Sequence, residues 1–280
     1  MSSHESIPPI VDTQRYLGRM SQSLEDKLML CHYLPSHTKR ILDVGCADGA
    51  VTIELAKRFP HAHITGIDLD QEFIDLATQR AHAEGVSNVT FEQIYLRDLL
   101  ARPERFDAIT FISVLHEFYS YGQGISSVFK ALADAHELLE DGGVVAIRDM
   151  VVPRYFKSTC SITPLVQKIH ARVDLAPAYR DVASMYGNHG ALDDLAAVNH
   201  FFLKYRYTNN WEHEMKENYL AVTLDDYMDF VRLLGLELLH ARPYLLPFLR
   251  DTWQQDFGLT DQELNSLYST SLIVAQRTPA

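Results

Sequence analysis

At 280 residues, 47% hydrophobic and 22% charged, the chain has the composition of an ordinary folded enzyme with length to spare for a buried core, which excludes the disordered and fibrous classes. A formal charge of −12 sets its overall field against polyphosphates and lacks the basic footprint of nucleic-acid binders. Cys31, Cys46 and Cys160 show no paired spacing, which excludes a disulfide framework and a zinc knuckle and suits a reducing, cytoplasmic setting.

Residues 1–22 open with MSSHESIPPI, which has neither a basic region nor an apolar stretch and reads as a tail, not a secretory signal. Ser23 and Asp26 then have capping-box spacing, and Leu24, Leu28, Cys31 and Leu34 mark one helical face ahead of the sheet. From Arg40 short apolar runs alternate with helical patterns: ILDV, VTIELAKRF, HITGI, FIDLATQRAHAEG, VTFEQI. That rhythm means crossover units on a parallel sheet. It continues through DAITFIS, a helix ending at Asp141, Gly142 and Gly143, and the strand VVAIRD, so an α/β core is expected over 23–150. The best apolar run, GGVVAIRDMVV, is broken by Arg148 and Asp149, so no membrane span is expected.

After Asp149 the alternation stops for a stretch rich in Tyr, His and Asn, read as an inserted helical cap over 151–222. The core resumes over 223–280, with Thr223 capping a helix, a strand near LELLHA, a Pro-bounded loop through PYLLPFLRDTWQQDFGLT, a short helix from Asp261 and a last strand, TSLIVAQR. Reaching the last strand without a crossover helix predicts an antiparallel hairpin at the sheet edge. The expected fold is α/β: a doubly wound, seven-stranded, mostly parallel sheet with an inserted cap.

The chemistry-bearing segment is ILDVGCADGAVT, residues 41–52, where a strand ends in Asp43 and passes through Gly45, Cys46, Ala47 and Gly49 into a helix. Small residues let the turn press on a ligand, and the helix-start amides offer donors to its polar end. This turn resembles the first motif of class I S-adenosylmethionine-dependent methyltransferases, an acidic residue followed by Gly-x-Gly-x-Gly, with Ala47 at the middle glycine. The resemblance implies a Rossmann-like methyltransferase fold, S-adenosylmethionine as cofactor, and contact of Asp43, Gly45 and Gly49 with its methionine portion. Asp68, ending the second strand, is placed to accept both ribose hydroxyls, as in dinucleotide enzymes, and Leu69 to pack on adenine. Tyr95 stands where the family has an acidic residue near the adenine amine, and Leu96 and Ser113 complete the candidate cofactor set.

Reactive groups belong beyond the carboxyl ends of the strands. His116, Glu117 and Arg148 are the catalytic candidates, with His116 a general base if the acceptor is a hydroxyl; the alternative is a hydrogen-bonded helix-start histidine. Tyr119, Tyr121 and Asp149 are candidate acceptor contacts, as are Tyr205, Tyr207 and Trp211, which sit among Glu212, Glu214 and Glu217 and could hold a cationic group or simply pack the cap. The segments VLHEFYSYG, RDM and KYRY with its following W and EN also resemble a group of bacterial and phage methyltransferase-like proteins.

The reading is therefore a methyltransferase acting on an O or N of a small polar metabolite, with no metal-ligand spacing. An RNA or nucleotide methyltransferase is second, without an N-P-P-Y motif or a Pro-Cys nucleophile, and with its charge opposed to phosphate. Third is a non-methylating nucleotide-binding protein or nicotinamide-dependent enzyme of related fold. A homodimer is compatible with the sequence, which does not decide it.

Overall fold

The computed structural model describes residues 23–154, 162–186, 192 and 194–279; the N-terminal tail and Cys160 lie outside them. The described chain opens on a single turn, α1 (Leu24–Lys27), followed by a 3-10 turn over Leu28–Tyr33. The expected capping box is not made: Ser23 caps nothing through its side chain. Asp26 instead accepts from Arg148 through Nε at 2.9 Å and Nη2 at 2.7 Å, because a charged fork binds a carboxylate more strongly than a lone amide does.

The alternating segment forms as its periodicity dictates: β1 (Arg40–Val44), α2 (Ala50–Arg58), β2 (His63–Asp68), α3 (Gln71–Ala83), β3 (Val89–Gln93), β4 (Phe106–Ile112), α4 (Leu115–Ser120), α5 (Ile125–Leu138) and β5 (Leu139–Asp149). Helix α5 shows the cause: Val128, Ala131, Leu132, Ala135 and Leu138, at helical spacing, are all buried. Strand β5 starts earlier than expected, since Phe106 pairs with Leu139 and a register shift precedes the pair Ala108 and Val144. Gly142, at φ +78°, lets that irregularity stay within the strand.

Seven strands lie in the order β3-β2-β1-β4-β5-β7-β6, where β6 is Leu236–Tyr244 and β7 is Thr270–Arg277. Strand β1 pairs in parallel with both β2 and β4, so the order reverses beside it. A crevice at the carboxyl ends opens at such a switch point. Ser271 reaches Val151 O at 2.7 Å and Gln276 reaches Gly142 O at 2.8 Å, so β7 runs against β5 and the sheet is mixed; β6 lies beside β7, reached through two helices and not the loop expected. No helix among the described residues is long and apolar enough to cross a membrane.

The chain divides into two compact units. The first holds most of the sheet with Met228–Ala241 and residues from Leu272 onward; the second comprises Met150–Tyr227 and Arg242–Ser271. The second is helical: α6 (Thr163–His170), α7 (Ala176–Met185), α8 (Leu195–Lys204), the short α9 (Trp211–Glu214) and the start of α10 (Leu224–Leu233), where Asp226 N donates to Thr223 Oγ1 as the expected cap. The segment read as a Pro-bounded loop contains α11 (Pro247–Phe257), begun by proline in its first turn and ended by left-handed Gly258, with α12 (Asp261–Leu264) after it. Trp253 packs tilted against Phe202 of α8 at 5.3 Å and Phe257 meets it edge-on at 5.0 Å, so this stretch builds the core of the helical unit and not the sheet's.

Candidate active site

At the switch point the β1–α2 turn takes a path that only small residues follow cheaply. Gly45, Ala47 and Gly49 all have positive φ, at +72°, +44° and +75°. A Cβ on Gly45 would stand 2.4 Å from Val114 and one on Gly49 2.7 Å from Ala77, so both positions demand glycine on conformation and on space. Ala47 is the non-glycine of the three, held there by the hydrogen bond its backbone N–H donates to Asp68 Oδ2 at 2.9 Å. Cys46 is buried beside them, and burial pushes its thiol up, out of the reactive range.

Asp43 is buried, and each carboxylate oxygen accepts one hydroxyl, Thr52 Oγ1 at 2.7 Å and Thr110 Oγ1 at 2.8 Å. Burial raises its carboxyl above the usual range, while the two threonines and the Lys27 ammonium oppose that rise. Asp43 therefore fastens β1 to α2 and β4 beneath the turn. Asp68, ending β2, accepts from the amides of Ala47, Leu69 (2.7 Å) and Asp70 (3.0 Å), and burial raises its carboxyl too. Leu69 and Tyr95, which follow the neighbouring strands β2 and β3, are 51% and 61% exposed. These are large apolar surfaces turned to solvent at the carboxyl edge, in contrast to buried Leu96.

Past β4, Ser113 has φ +57°, its amide bonded to Arg148 O and its hydroxyl accepting from Arg148 Nη1 at 2.9 Å. Arg148 is 3% exposed and divides its guanidinium between Ser113 and Asp26, which holds the ends of β4 and β5 against α1. His116, in the first turn of α4, is buried with its Nδ1 2.8 Å from Asp149 Oδ1, and its own amide donates to Asp149 Oδ2 at 3.1 Å. A two-point clasp of this kind fixes the ring and assigns the Nδ1 proton to the bond with Asp149. Glu117, Tyr119 and Tyr121 continue the same helix and its end, all partly buried.

The remaining candidates lie in the second, helical unit. Tyr205 is buried, stacks on Phe201 at 5.8 Å and donates to Asp256 at 2.5 Å, so it belongs to the cap's packing. Trp211 donates to Asp181 at 2.7 Å from a partly buried position, and Tyr207 is partly buried. Below them sits a buried polar cluster. Lys204 donates to the carbonyl of Glu214 and lies 3.9 Å over the Tyr219 ring, Tyr219 donates to the Glu214 carboxylate, and His213 meets Glu217 at 3.2 Å. Burial pushes Lys204 down to about 8 and Glu214 up.

The sequence profile of a family described as "Methyltransferase domain" matches residues 35–218, more than half of the chain. The chain belongs to this methyltransferase family. Its core is of the class I, S-adenosylmethionine-dependent type that the glycine turn resembles. Among curated proteins the chain is 33% identical over 101 residues to the demethylmenaquinone methyltransferase of Deinococcus radiodurans, covering 36% of this chain and 42% of that one. It spans less than half the length of the curated relatives it matches. An O-methyltransferase family protein from Burkholderia thailandensis superposes with a TM-score of 0.55 at 15% identity, over 94% of this chain and 57% of that one. Magnesium protoporphyrin IX methyltransferase from Synechocystis PCC 6803, solved with bound S-adenosylhomocysteine, gives 0.52 at 12%, over 94% and 84%. At such identities the likeness is one of fold.

Two features of the chain escaped sequence reasoning. The pairing of His116 with Asp149 joins residues 33 apart that no local pattern connects. Lys27 is 4% exposed and lines a recess with Asp43, Gly45, Asp48, Ala50 and Val51. One clue was available: Lys27 falls on the apolar stripe of Leu24, Leu28, Cys31 and Leu34, where a lysine is out of place.

Proposed function

We propose that this chain transfers the methyl group of S-adenosylmethionine to a hydroxyl oxygen of a small polar metabolite, with His116 as general base and Asp149 as the group that orients it. The observation that carries the reading is the buried His116–Asp149 pair at the carboxyl ends of β4 and β5, on the same edge as the glycine turn. The cofactor supplies an electrophilic sulfonium methyl. The residues present suit such a ligand: the turn and the first amides of α2 face its amino-acid end, Asp68 its ribose, and Leu69 and Tyr95 its adenine.

This chain's own contribution is positioning and proton removal. Methyl transfer is an in-line displacement, so placing the acceptor oxygen is the larger part of the task. A hydroxyl must lose its proton as it attacks; Nε2 of His116 takes it, and the Asp149 carboxylate stabilises the imidazolium formed. Arg148, held by Asp26 and Ser113, acts as a support for this edge. Tyr119 and Tyr121 flank the acceptor, and the net charge of −12 favours a metabolite over a polyanion.

The test pairs calorimetric titration with S-adenosylhomocysteine against a methyl-release assay over a panel of hydroxylated and amine metabolites. The reading expects binding by the wild-type chain, turnover on a hydroxyl acceptor, and loss of turnover with unchanged binding in His116→Ala. Turnover on amines alone, insensitive to His116, removes the base from the mechanism.

A further inference from the structure

Among the described residues other than glycine, only Ala47 and Ser113 have positive φ, at +44° and +57°. Ala47 belongs to the glycine turn. Ser113 lies between β4 and α4, three residues ahead of His116. A left-handed serine costs free energy, and such a conformation persists only where surrounding contacts hold it.

Arg148 supplies those contacts. Its carbonyl accepts the Ser113 amide at 2.7 Å and its Nη1 donates to the Ser113 hydroxyl at 2.9 Å, so one residue grips Ser113 by backbone and side chain together. The guanidinium is set in turn by Asp26, whose Oδ2 accepts from Nε at 2.9 Å and from Nη2 at 2.7 Å. With side chains 4% and 16% exposed, the Arg148–Asp26 pair escapes most of the screening that weakens surface ion pairs.

Neighbouring side chains on a strand point to opposite faces, so consecutive Arg148 and Asp149 at the end of β5 serve different elements. Asp149 serves α4. That helix receives no bond from the side chain of its N-cap residue, Val114; its second amide, His116 N, donates instead to Asp149 Oδ2, while Oδ1 lies 2.8 Å from His116 Nδ1. One carboxylate thus caps the helix and holds the ring of its second residue. Both bonds need the chain to leave Ser113 in one direction, and the left-handed φ sets that direction.

We propose that Asp26 and Ser113 are positioning residues for the His116 ring: Asp26 fixes the Arg148 guanidinium, Arg148 locks the left-handed Ser113, and that turn brings the start of α4 onto Asp149. All five residues lie in the unit that carries the sheet. The inference rests on the reading of His116 as base and extends it to an ion pair whose members are 122 residues apart. In a merely structural role the clamp would hold α1 to the sheet, and the ring would be indifferent to it.

The test follows the ring proton and needs no acceptor. In the full chain made with isotope-labelled histidine, a hydrogen-bonded imidazole proton gives a downfield NMR signal, assigned to His116 by its absence in His116→Gln. Its exchange with water is read by saturation transfer in wild type, Asp26→Asn and Ser113→Ala, with thermal melts to confirm folding. Ser113→Ala leaves the Asp26–Arg148 pair in place and carries the test if Asp26→Asn fails to fold. The expected result is exchange about 10- to 100-fold faster in both variants, the worth of one charge-assisted hydrogen bond. Exchange as slow as wild type in either folded variant overturns the assignment and leaves the base reading intact. Faster exchange in both, with full turnover retained by His116→Ala in the methyl-release assay, upholds the positioning of the ring and removes the base reading alone. A wild-type chain without the signal overturns both.

Discussion

Two lysines in this protein are buried alike and differ in what surrounds them. Lys204 in the helical unit and Lys27 beneath the glycine turn are 0% and 4% exposed, and burial pushes each down to about 8. Lys204 is enclosed by its own partners: the Glu214 carbonyl, the Tyr219 ring and the charges of Glu214 and Glu217. Lys27 has charges nearby, its ammonium makes no hydrogen bond or ion pair among the described residues, and it lines a recess. The same titration shift therefore marks two situations, a cation enclosed by partners and one that borders a recess. Geometry tells them apart where the shift does not.

The sharpest way to break this comparison is to neutralise the satisfied member. Lys204→Met leaves the buried Glu214 and Glu217 carboxylates without their cation, and a loss of about 3–5 kcal/mol is expected in denaturant unfolding. A change below about 1 kcal/mol would mean the cap cluster is not the closed network described.

Next in size is His116→Ala, expected to lower turnover by about 100- to 10,000-fold while S-adenosylhomocysteine affinity in calorimetry stays within about twofold. A joint fall in both would place His116 in the cofactor site. Asp68→Ala follows, with a loss of cofactor affinity of about 10- to 100-fold from the missing ribose acceptor and the loosened Ala47 amide. Equal affinity in the titration removes Asp68 from the site.

The smallest effect has the opposite sign to the first. Lys27→Met should stabilise the ligand-free protein by about 1–2 kcal/mol at pH 7, since it removes a charge that burial disfavours. The folded-state value, about 8, lies below the ordinary lysine value of 10.5, so the unfolded chain binds the proton more tightly between those two points. Wild-type stability thus recovers as pH rises from about 8 to 10.5, and the advantage of the variant shrinks over that window. Thermal melts across it check the sign; a variant less stable than wild type at pH 7 would show Lys27 to be a structural counter-ion.

What the sequence determined was local. Apolar alternation against helical spacing fixed the β–α order from Arg40 to Asp149, because period itself decides which face is buried. The turn of Gly45, Ala47 and Gly49 was legible because positive φ and close approach restrict residue choice to a few types. Helix α11 could have been read too, from Pro247 at its start and Gly258 at its end, but the surrounding prolines suggested a loop. The tertiary structure alone decided the pairs. Asp26 left its expected cap for Arg148, 122 residues away, Asp149 joined His116, and Trp253 packed on Phe202 in the cap. Such contacts depend on where crossovers bring distant segments, and a side chain's chemistry names what it can bind without naming which partner the fold will bring within reach.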